Sequence, residues 1–355
     1  EPQVAQMPLS DLFDEKLILE SGNAATSAAE IEETALATLF AEAVDALERQ
    51  QAPFLLWIHA RGMAAPWDAP LALRDALAAE EDPDPLEDVA VPSLRLDEDY
   101  DPDALLGIVQ AYAAQVMLLD ECLGVLAAAI DRSPRREQLL TVVTSPRGFP
   151  LGEHRIVGDR QRSLYGELLH VPLLLWRGDG QGALRRSHAL VQPPDVAATL
   201  LEWFGGSTDS AFAQSLLPLT CADLPGASAA ARDRIISVAG DEAAIRTPAW
   251  FLRTRPAEGE AAAELYRKPD DRWEQNEVSR RCPQIVEQLS AALKATQQSL
   301  ADGKVNALPS LPDEGLEGSG CGGSAGRSTC AVWLSPCGAG GRGCERRRRT
   351  ARHSY

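Results

Sequence analysis

The sequence lacks several features that define common classes of protein. No uninterrupted apolar run reaches the ~18 residues of a membrane-spanning helix, so we predict no membrane partner. None of the 7 cysteines belongs to a Cys-X-X-Cys pair, which disfavours a zinc site. Basic residues are the minority, with 34 Lys and Arg against 52 Asp and Glu. The net charge of -18 argues against nucleic-acid binding by the main body of the chain.

The start of the sequence also lacks an initiator methionine and a signal peptide. We therefore expect that a leader has been removed or that the chain is a fragment, and the compartment and oligomeric state stay open. Apolar residues, in contrast, are plentiful. They make up 45% of the 355 residues, enough for a sizeable core in one large domain, or in a large domain and a small one.

Apolar patterns predict alternating helices and strands. Helical spacing predicts a helix over residues 26–49 with Ser27 as its N-cap, and a longer helix from Asp101 to about residue 131. Continuous apolar runs predict buried strands at residues 54–58, 139–144 and 171–176. Because the run at residues 54–58 does not alternate with polar residues, we expect its burial on both faces, as in a central parallel strand. Short strands near residues 235–266 and a final helix over residues 284–298 follow.

Two segments have unusual compositions. Residues 78–103 are acidic and proline-rich, and we interpret them as a solvated surface excursion. Residues 306–355 are rich in Gly, Cys and Arg, and we predict a disordered tail because apolar content is too low to offset the entropy of ordering. The four consecutive arginines at 346–349 would suit nucleic acid or an acidic surface, but an unstructured end is the simpler interpretation.

The loop between the strands at residues 139–144 and 171–176 is the best candidate for a functional site. It carries His154, several arginines and glycines at 148, 152, 158 and 166. Ligands of open α/β sheets bind where loops leave the carboxyl ends of strands. We therefore expect any active site to include this loop.

The same loop and the strand at residues 54–58 carry a family resemblance. Ser145, Gly148, Leu151-Gly152-Glu153-His154 and Val171-Pro172-Leu173 stand in the order and spacing of the sulfatases of the alkaline-phosphatase superfamily. Pro53, Phe54, His59, Pro66 and Trp67 match a second sulfatase motif. The resemblance implies an α/β fold, namely an α/β/α sandwich with a mostly parallel central sheet and a small C-terminal α+β subdomain. It also implies kinship with sulfuric ester hydrolases.

The resemblance divides the chain into three parts. Residues 1–225 correspond to a sulfatase-like α/β domain that lacks its N-terminal part. Residues 226–305 correspond to a small C-terminal antiparallel sheet and helix, and residues 306–355 form the predicted disordered tail. The family's paired Asp metal ligands and its Cys-X-Pro-X-Arg or Ser-X-Pro-X-Arg nucleophile motif are not visible in the sequence.

At the family's site positions the sequence departs from the pattern. The two metal-ligand positions are Pro146 and Arg147, which offer no ligand atom and a positive charge. Ala64 replaces a His that contacts the sulfate ester, and Asp159 falls where the family has a Lys. We therefore expect no cofactor, although calcium would be the expected ion if the family site were intact.

Four candidate site residues remain: His59, Arg147, His154 and Arg155. One interpretation makes them an anion-binding remnant for a sulfated or anionic small molecule or glycan, because Arg suits such groups. The other makes His59 a strand-end residue and His154 a loop-packing residue. Nucleophilic catalysis by Ser145 and His154 lacks a glycine elbow and an acidic third member.

Three hypotheses for function follow. The first is a sulfatase-like protein that is catalytically inactive, with a binding or scaffolding role. The second is an active sulfatase or phosphatase-type hydrolase whose catalytic half lies upstream of Glu1. The third is a non-enzymatic protein that binds a partner through its acidic surface. Similar sulfatases are often exported, but the sequence itself leaves the compartment open.

Overall fold

A computed structural model describes residues 11–19, 26–51, 53–158, 163–207, 212–221, 232–255, 262–302 and 311. Its helices are α1 (Ala35–Arg49), α2 (Leu71–Asp75), α3 (Pro102–Arg132), α4 (Gly166–Leu169), α5 (Pro193–Trp203), α6 (Leu217–Thr220) and α7 (Pro283–Ala301). Its strands are β1 (Ser93–Arg95), β2 (Leu140–Thr144), β3 (Ile156–Gly158), β4 (Leu173–Arg177), β5 (Ile235–Ala239), β6 (Glu242–Arg246), β7 (Trp250–Arg255) and β8 (Ala262–Arg267). The predicted tail at 306–355 lies outside the described residues except for Leu311.

The core of the larger part forms where α1 packs against α3. Leu36, Phe40 and Leu47 of α1 meet Leu118, Leu126 and other apolar residues along α3. Asp101 accepts a hydrogen bond from the amide of Asp103 (3.0 Å) and Pro102 follows it, so the predicted start of α3 is confirmed. The predicted start of α1 is wrong: Thr34, not Ser27, is the N-cap, and its Oγ1 accepts from the amide of Ala37 (3.2 Å).

The predicted strand at residues 54–58 is not formed as a strand in the structure and pairs with no described strand. Phe54, Leu56 and Ile58 pack on the core, whereas Leu55 and Trp57 are 48% and 53% exposed. The prediction of burial on both faces is therefore wrong for this segment. Its hydrophobicity is continuous, but the fold covers only every second side chain.

The predicted α/β fold is confirmed, with a difference in strand direction among the described residues. β2 and β4 pair antiparallel, from Leu140 opposite Arg177 to Thr144 opposite Leu173. β1 and β3 also pair antiparallel. The parallel pairing predicted for the central sheet is thus not found among the strands that the structure describes, since the runs at 139–144 and 171–176 pair with each other in the antiparallel direction.

The acidic segment is more ordered than its composition suggests. It contains β1, and it buries Val89 and Leu96. Arg74, which is fully buried, donates to the carbonyl oxygens of Trp67 (2.6 Å), Asp88 (3.0 Å) and Leu86. The interpretation as a purely solvated excursion is therefore wrong, since one buried guanidinium binds the segment to the domain.

The C-terminal part is a four-stranded antiparallel sheet followed by α7. The strands are ordered β5-β6-β7-β8, so each strand pairs with its neighbour in sequence. Leu164, Ala244, Phe251 and Tyr266 form a small core on this sheet, and Tyr165 and Leu169 pack against it. The short strands and final helix predicted from the sequence are confirmed here. The boundary at residue 225 stays a prediction.

By length and apolar composition, α3 is the one helix among the described residues that could cross a membrane. In this fold α3 buries Ala114, Leu118 and Ile130, among others, in the core that it shares with α1. These contacts are those of a core helix.

Candidate functional site

The candidate loop leaves the end of β2 and is held against α4. Ser145 donates from its hydroxyl to the carbonyl of Arg147 (2.7 Å), and the Gly148 amide donates to the carbonyl of Leu168 (2.9 Å). A Cβ at position 148 would lie 1.9 Å from the carbonyl oxygen of Glu167. Only glycine therefore allows this close approach of loop and helix.

A tight turn then aims His154 and Arg155. Gly152 has φ +110° and Arg155 has φ 59°, both in the left-handed region. The Arg155 amide donates to the Gly152 carbonyl (3.0 Å), and Glu153 accepts from the Leu151 amide (2.7 Å). The motif Leu151-Gly152-Glu153-His154 thus closes on itself, and the two basic side chains project from its end.

His154 is engaged on both edges of its ring and on one face. Its Nδ1 lies 2.8 Å from Oε1 of Glu167 on α4, and its Nε2 lies 3.1 Å from the carbonyl oxygen of Glu274. The ring stacks on Tyr165, with centroids 3.6 Å apart and an interplanar angle of 3°. A carbonyl oxygen only accepts, so Nε2 carries a proton, and a charged imidazolium satisfies both partners at once.

The electrostatics of His154 agree with this geometry. Burial lowers its pKa, but the hydrogen bond and charge of Glu167, together with Glu274, raise it, and the net direction is upward. A histidine held as a cation between two acceptors links the loop to its surroundings. It has no free nitrogen with which to act as a general base.

Glu274 extends this link into a polar junction, which we define as His154, Glu167, Lys268 and Glu274. The Glu274 carboxylate accepts from the Gly166 amide (2.7 Å) and from Nζ of Lys268 (2.8 Å). Lys268 also donates to the carbonyls of Asp271 (2.7 Å) and Arg272 (3.0 Å). Both side chains of this ion pair are less than a tenth exposed, so the junction joins the loop, α4 and the segment after β8 through desolvated charges.

A second group of buried polar residues, the tyrosine–arginine cluster, consists of Tyr165, Arg253, Glu264 and Tyr266. One oxygen of Glu264 accepts from Tyr165 (2.9 Å), Tyr266 (3.1 Å) and Arg253 (3.0 Å). The Arg253 guanidinium lies 4.0 Å from the Tyr165 ring centroid. Burial, with a contribution from Glu264, raises the pKa of Tyr165 to about 12, so its hydroxyl stays a donor. Despite burial, the tyrosine and arginine partners hold the pKa of Glu264 below its ordinary range.

A cavity of about 410 Å³ opens beside these residues. His154, Tyr165 and Ser163 line it, with the β7 arginines Arg253 and Arg255 and the acidic Glu242. Arg95 lines it from β1 and Arg155 from the position just before β3, and the Leu96 amide donates to the Arg155 carbonyl (2.8 Å). Four arginines against two glutamates make the cavity basic in a chain whose net charge is -18.

The structure brings two of the four predicted site residues together. His154 and Arg155 are adjacent and both line the cavity, whereas His59 and Arg147 do not line it. Ala64 ends a 3₁₀ turn, Gly62–Ala64, and Asp159 lies outside the described residues. Whether His59, Arg147, His154 and Arg155 bind an anion stays a prediction.

The loop after β2 does not fit a calcium ion. Calcium takes oxygen ligands, but Pro146 offers no side-chain donor and Arg147 would place a cation against a cation. Among the residues that the structure describes, no group of three or more His, Cys, Asp and Glu side chains could hold a metal ion. The side chains present here thus do not match the metal that the family uses.

Sequence reasoning missed most of the polar junction and of the tyrosine–arginine cluster. The phrases Glu264-Leu265-Tyr266 and Glu274-Gln275-Asn276 resemble family phrases of the small subdomain, and by themselves they indicate the fold and not a polar site. Arg253 and Glu264 are direct cross-strand partners in β7 and β8, and the strand register was the signal that could have paired them. Lys268 and Glu274 lie in a turn, where contacts do not follow a periodic sequence pattern. No local pattern therefore predicts that these two residues form an ion pair.

The chain is similar to known proteins in both its sequence and its fold. The family model described as Sulfatase matches residues 7–207, more than half of the chain. The multifunctional alkaline phosphatase superfamily protein PehA of Trinickia caryophylli is 30% identical over 116 residues, which are 32% of this chain and 22% of PehA. These matches confirm the resemblance seen in the motifs.

Solved structures agree on the fold. The phosphonate monoester hydrolase of Agrobacterium radiobacter matches with a TM-score of 0.57 at 18% identity, covering 81% of this chain and 64% of that one. BT4656, solved with its substrate D-glucosamine-2-N,6-O-disulfate, matches with a TM-score of 0.50 at 22% identity, covering 59% and 45%. The chain spans less than two thirds of the length of each of these relatives.

Proposed function

The chain belongs to the sulfatase family, and we propose that this member has lost sulfate-ester hydrolysis and uses the family fold to bind an anionic ligand. The family relationship supports a function of the sulfatase and phosphonate-hydrolase type in general terms. The loss of turnover and the nature of the ligand are the proposal.

The observation that carries the proposal is the pair Pro146 and Arg147 in the loop after β2. Sulfatase chemistry needs a divalent cation to polarise the sulfate oxygens and a nucleophile to attack sulfur. A proline and an arginine at the metal positions remove oxygen ligands and add a positive charge. Ala64 likewise replaces a histidine that would contact the ester.

The contacts of His154 support the same conclusion. A general acid or base must exchange a proton with a reacting group within hydrogen-bond reach. Both ring nitrogens of His154 already have partners in Glu167 and Glu274, and the Ser145 hydroxyl donates to the Arg147 carbonyl. Ser145 and His154 therefore do not form a nucleophile and base pair.

For the ligand, we propose a sulfated or otherwise anionic sugar. The relative BT4656 acts on D-glucosamine-2-N,6-O-disulfate, which combines hydroxyl groups with sulfates. In the present chain, arginine side chains line a cavity together with the carboxylate-bearing Glu153. Arg guanidinium groups pair bidentately with such oxyanions, which supports a binding role for Arg155.

One observation favours a second candidate, an active hydrolase completed by a longer chain. The match covers 22% of PehA, so most of that protein lies outside the matched region. A longer chain of this kind has room for the catalytic groups that are absent here. Against this candidate stand Pro146, Arg147 and Ala64, which further sequence cannot change. A third candidate, a scaffold that binds a protein partner, has only the charge of -18 to support it.

The test is hydrolysis of para-nitrophenyl sulfate by the purified chain, with added calcium and with a chelator. We expect release of para-nitrophenol at the rate of buffer alone under both conditions. A calcium-dependent rate would sink the proposal and favour the active hydrolase. A calcium-independent rate that His154→Gln leaves unchanged would also sink it, and would indicate a different set of catalytic residues.

A further inference from the structure

We infer that residues 54–58, here called the unpaired segment, form the contact through which two copies of this chain associate, by antiparallel pairing of the segment with itself. The segment reads Phe54-Leu55-Leu56-Trp57-Ile58 and follows α1 in the sequence. None of its residues lines the basic cavity, so the inference does not depend on the proposed function. It assigns an interaction surface, and the partner is a second copy of the same chain.

One side of the unpaired segment is anchored, and the other side is open to solvent. Phe54, Leu56 and Ile58 pack against the core that α1 and α3 share. Leu55 and Trp57, which alternate with them, are 48% and 53% exposed. This alternation has the period of two that characterises a β-strand. Exposed apolar side chains that are grouped on one side are more typical of an interaction surface than scattered ones.

The backbone of the segment indicates what kind of partner fits. Among the residues that the structure describes, no hydrogen bond involves an amide or carbonyl of residues 54–58. Backbone groups beside a packed core need hydrogen-bond partners, because their contact with water is reduced. A row of unpaired amides and carbonyls along a segment of this kind is satisfied by a neighbouring strand. The occupant of this surface is therefore a β-strand, and not a helix or a membrane.

The segment is its own matching strand. It contains no charged residue, although exposed strand edges are normally protected from pairing by charges. An antiparallel pair of identical strands has a twofold axis, so the assembly closes as a dimer. When Leu56 of one copy lies opposite Leu56 of the other, Leu55 of each copy lies opposite Trp57 of its partner. Cross-strand pairs of apolar side chains stabilise antiparallel sheets, so both exposed side chains gain a partner.

The charge of the chain determines how this dimer responds to salt. Each copy carries a net charge of -18, so two copies repel each other. The unpaired segment contributes no charge, and its contacts are apolar side chains and backbone hydrogen bonds. Because salt screens the repulsion and leaves these contacts in place, the dimer should tighten as the ionic strength rises. A dimer held by ion pairs would show the opposite dependence.

Sedimentation equilibrium of the full chain at about 1–100 μM, at low and at moderate salt, tests the inference. We expect a mass that approaches twice the 38.2 kDa of one chain at the upper concentrations, and a lower dissociation constant at moderate salt. Trp57→Lys and Leu55→Lys should each raise the dissociation constant about tenfold or more, because each places a charge opposite an apolar side chain. The matched control Trp273→Lys, at a tryptophan that is 56% exposed and lies outside the segment, should leave it unchanged.

Hydrogen exchange followed by mass spectrometry reports on the backbone pairing itself. The peptide that covers the unpaired segment should exchange more slowly at concentrations at which the dimer forms than at concentrations at which the chain is monomeric. In Trp57→Lys the exchange of this peptide should stay fast at both concentrations. Circular dichroism checks that each lysine variant keeps the fold, which we expect because the substituted side chains are about half exposed.

The outcomes separate the alternatives. The mass of a single chain at every concentration would overturn the inference, and so would equal weakening by Trp57→Lys and Trp273→Lys or a dimer that loosens with salt. A dimer whose segment exchanges as fast as in the monomer would show that another surface holds the copies together. Slow exchange of the segment in a monomer would show that another part of the chain covers it, which would also overturn the inference.

Discussion

The loop after β2 and the polar junction are joined through His154, yet they differ in what they preserve. The loop preserves the spacing of a family motif, and the junction preserves a set of buried polar contacts. The loop keeps the spacing and the glycines of a sulfatase, but Pro146 and Arg147 stand at its metal positions. In the junction, Lys268, Glu274, Glu167 and His154 all have partners at hydrogen-bond distance. The contacts that stabilise the junction therefore do not involve the loop positions at which the family binds its metal.

This difference has an energetic origin. A buried charge that loses its partner destabilises the domain, so substitution of any member of the junction is expected to lower stability. A side chain at an exposed loop position carries no such requirement. Pro146 and Arg147 are both exposed, and substitutions there have small effects on stability.

The largest expected effect comes from breaking the junction. Glu274→Ala would leave Lys268 buried without a counter-charge and is expected to destabilise the chain by about 3–5 kcal/mol. Urea unfolding followed by circular dichroism measures this change. Gln275→Ala, at the exposed neighbouring residue, should cost less than about 0.5 kcal/mol. Similar losses of stability for the two variants would mean that the buried ion pair contributes no more than an exposed neighbouring residue.

The second-largest loss of stability is expected from breaking the tyrosine–arginine cluster. Arg253→Met keeps the length of the side chain but removes the cation shared by Glu242 and Glu264, and we expect a loss of about 2–4 kcal/mol. Arg255→Met on the same strand is the control, since its ion pair with Glu264 is half exposed and is worth less than about 1 kcal/mol. A loss as large at Arg255 would contradict the assignment of the ion pairs.

A pH series sharpens the comparison at His154. Its pKa is raised in the folded chain, mainly by the hydrogen bond to Glu167 against the opposing effect of burial. The stabilising contribution is therefore complete below about pH 6.5, the unfolded value, and is lost as the pH rises through the folded pKa. Urea unfolding from pH 6 to pH 9 should show falling stability.

His154→Gln should flatten this decline, whereas His188→Gln, at an exposed histidine, should not. A decline of equal slope in the His154→Gln variant would show that other groups titrate. Glu167, Glu274 and Tyr165 are the polar residues that contact His154, and they are the first to be substituted in that case.

The smallest effect is expected in the loop. Pro146→Ala should cost about 0.4–1 kcal/mol, because it frees the unfolded chain rather than breaking a contact. The same urea titration measures this change. A loss of several kcal/mol would show that Pro146 contributes to the stability of the fold as strongly as the junction does, and would contradict the difference drawn between the two regions.

Much of the fold was predictable because its signals are local. Asp101-Pro102 and the apolar stripe after them define α3, and β5 to β8 follow from short apolar runs separated by turns. The N-cap of α1 was missed because Ser27 and Thr34 are both suitable capping residues, and only the fold decides between them. The exposed faces of Leu55 and Trp57 were missed because continuous hydrophobicity does not reveal which side is covered.

The site was less predictable than the fold. Motif spacing found His154 and Arg155, and it identified Pro146, Arg147 and Ala64 as departures. It did not find that Glu274 lies against His154, since 120 residues separate them and only the tertiary fold joins them. Arg95 was overlooked because the acidic composition around it indicated a surface excursion.

Thermal unfolding of the chain with calcium and with a chelator tests the central claim most directly, because an ion that binds the folded state raises the midpoint temperature. The account predicts the same midpoint in millimolar calcium and in excess chelator, since the polar junction and the loop supply no calcium site among the described residues. A calcium-dependent rise of several degrees would contradict it and would show that a metal site has survived the loss of its familiar ligands.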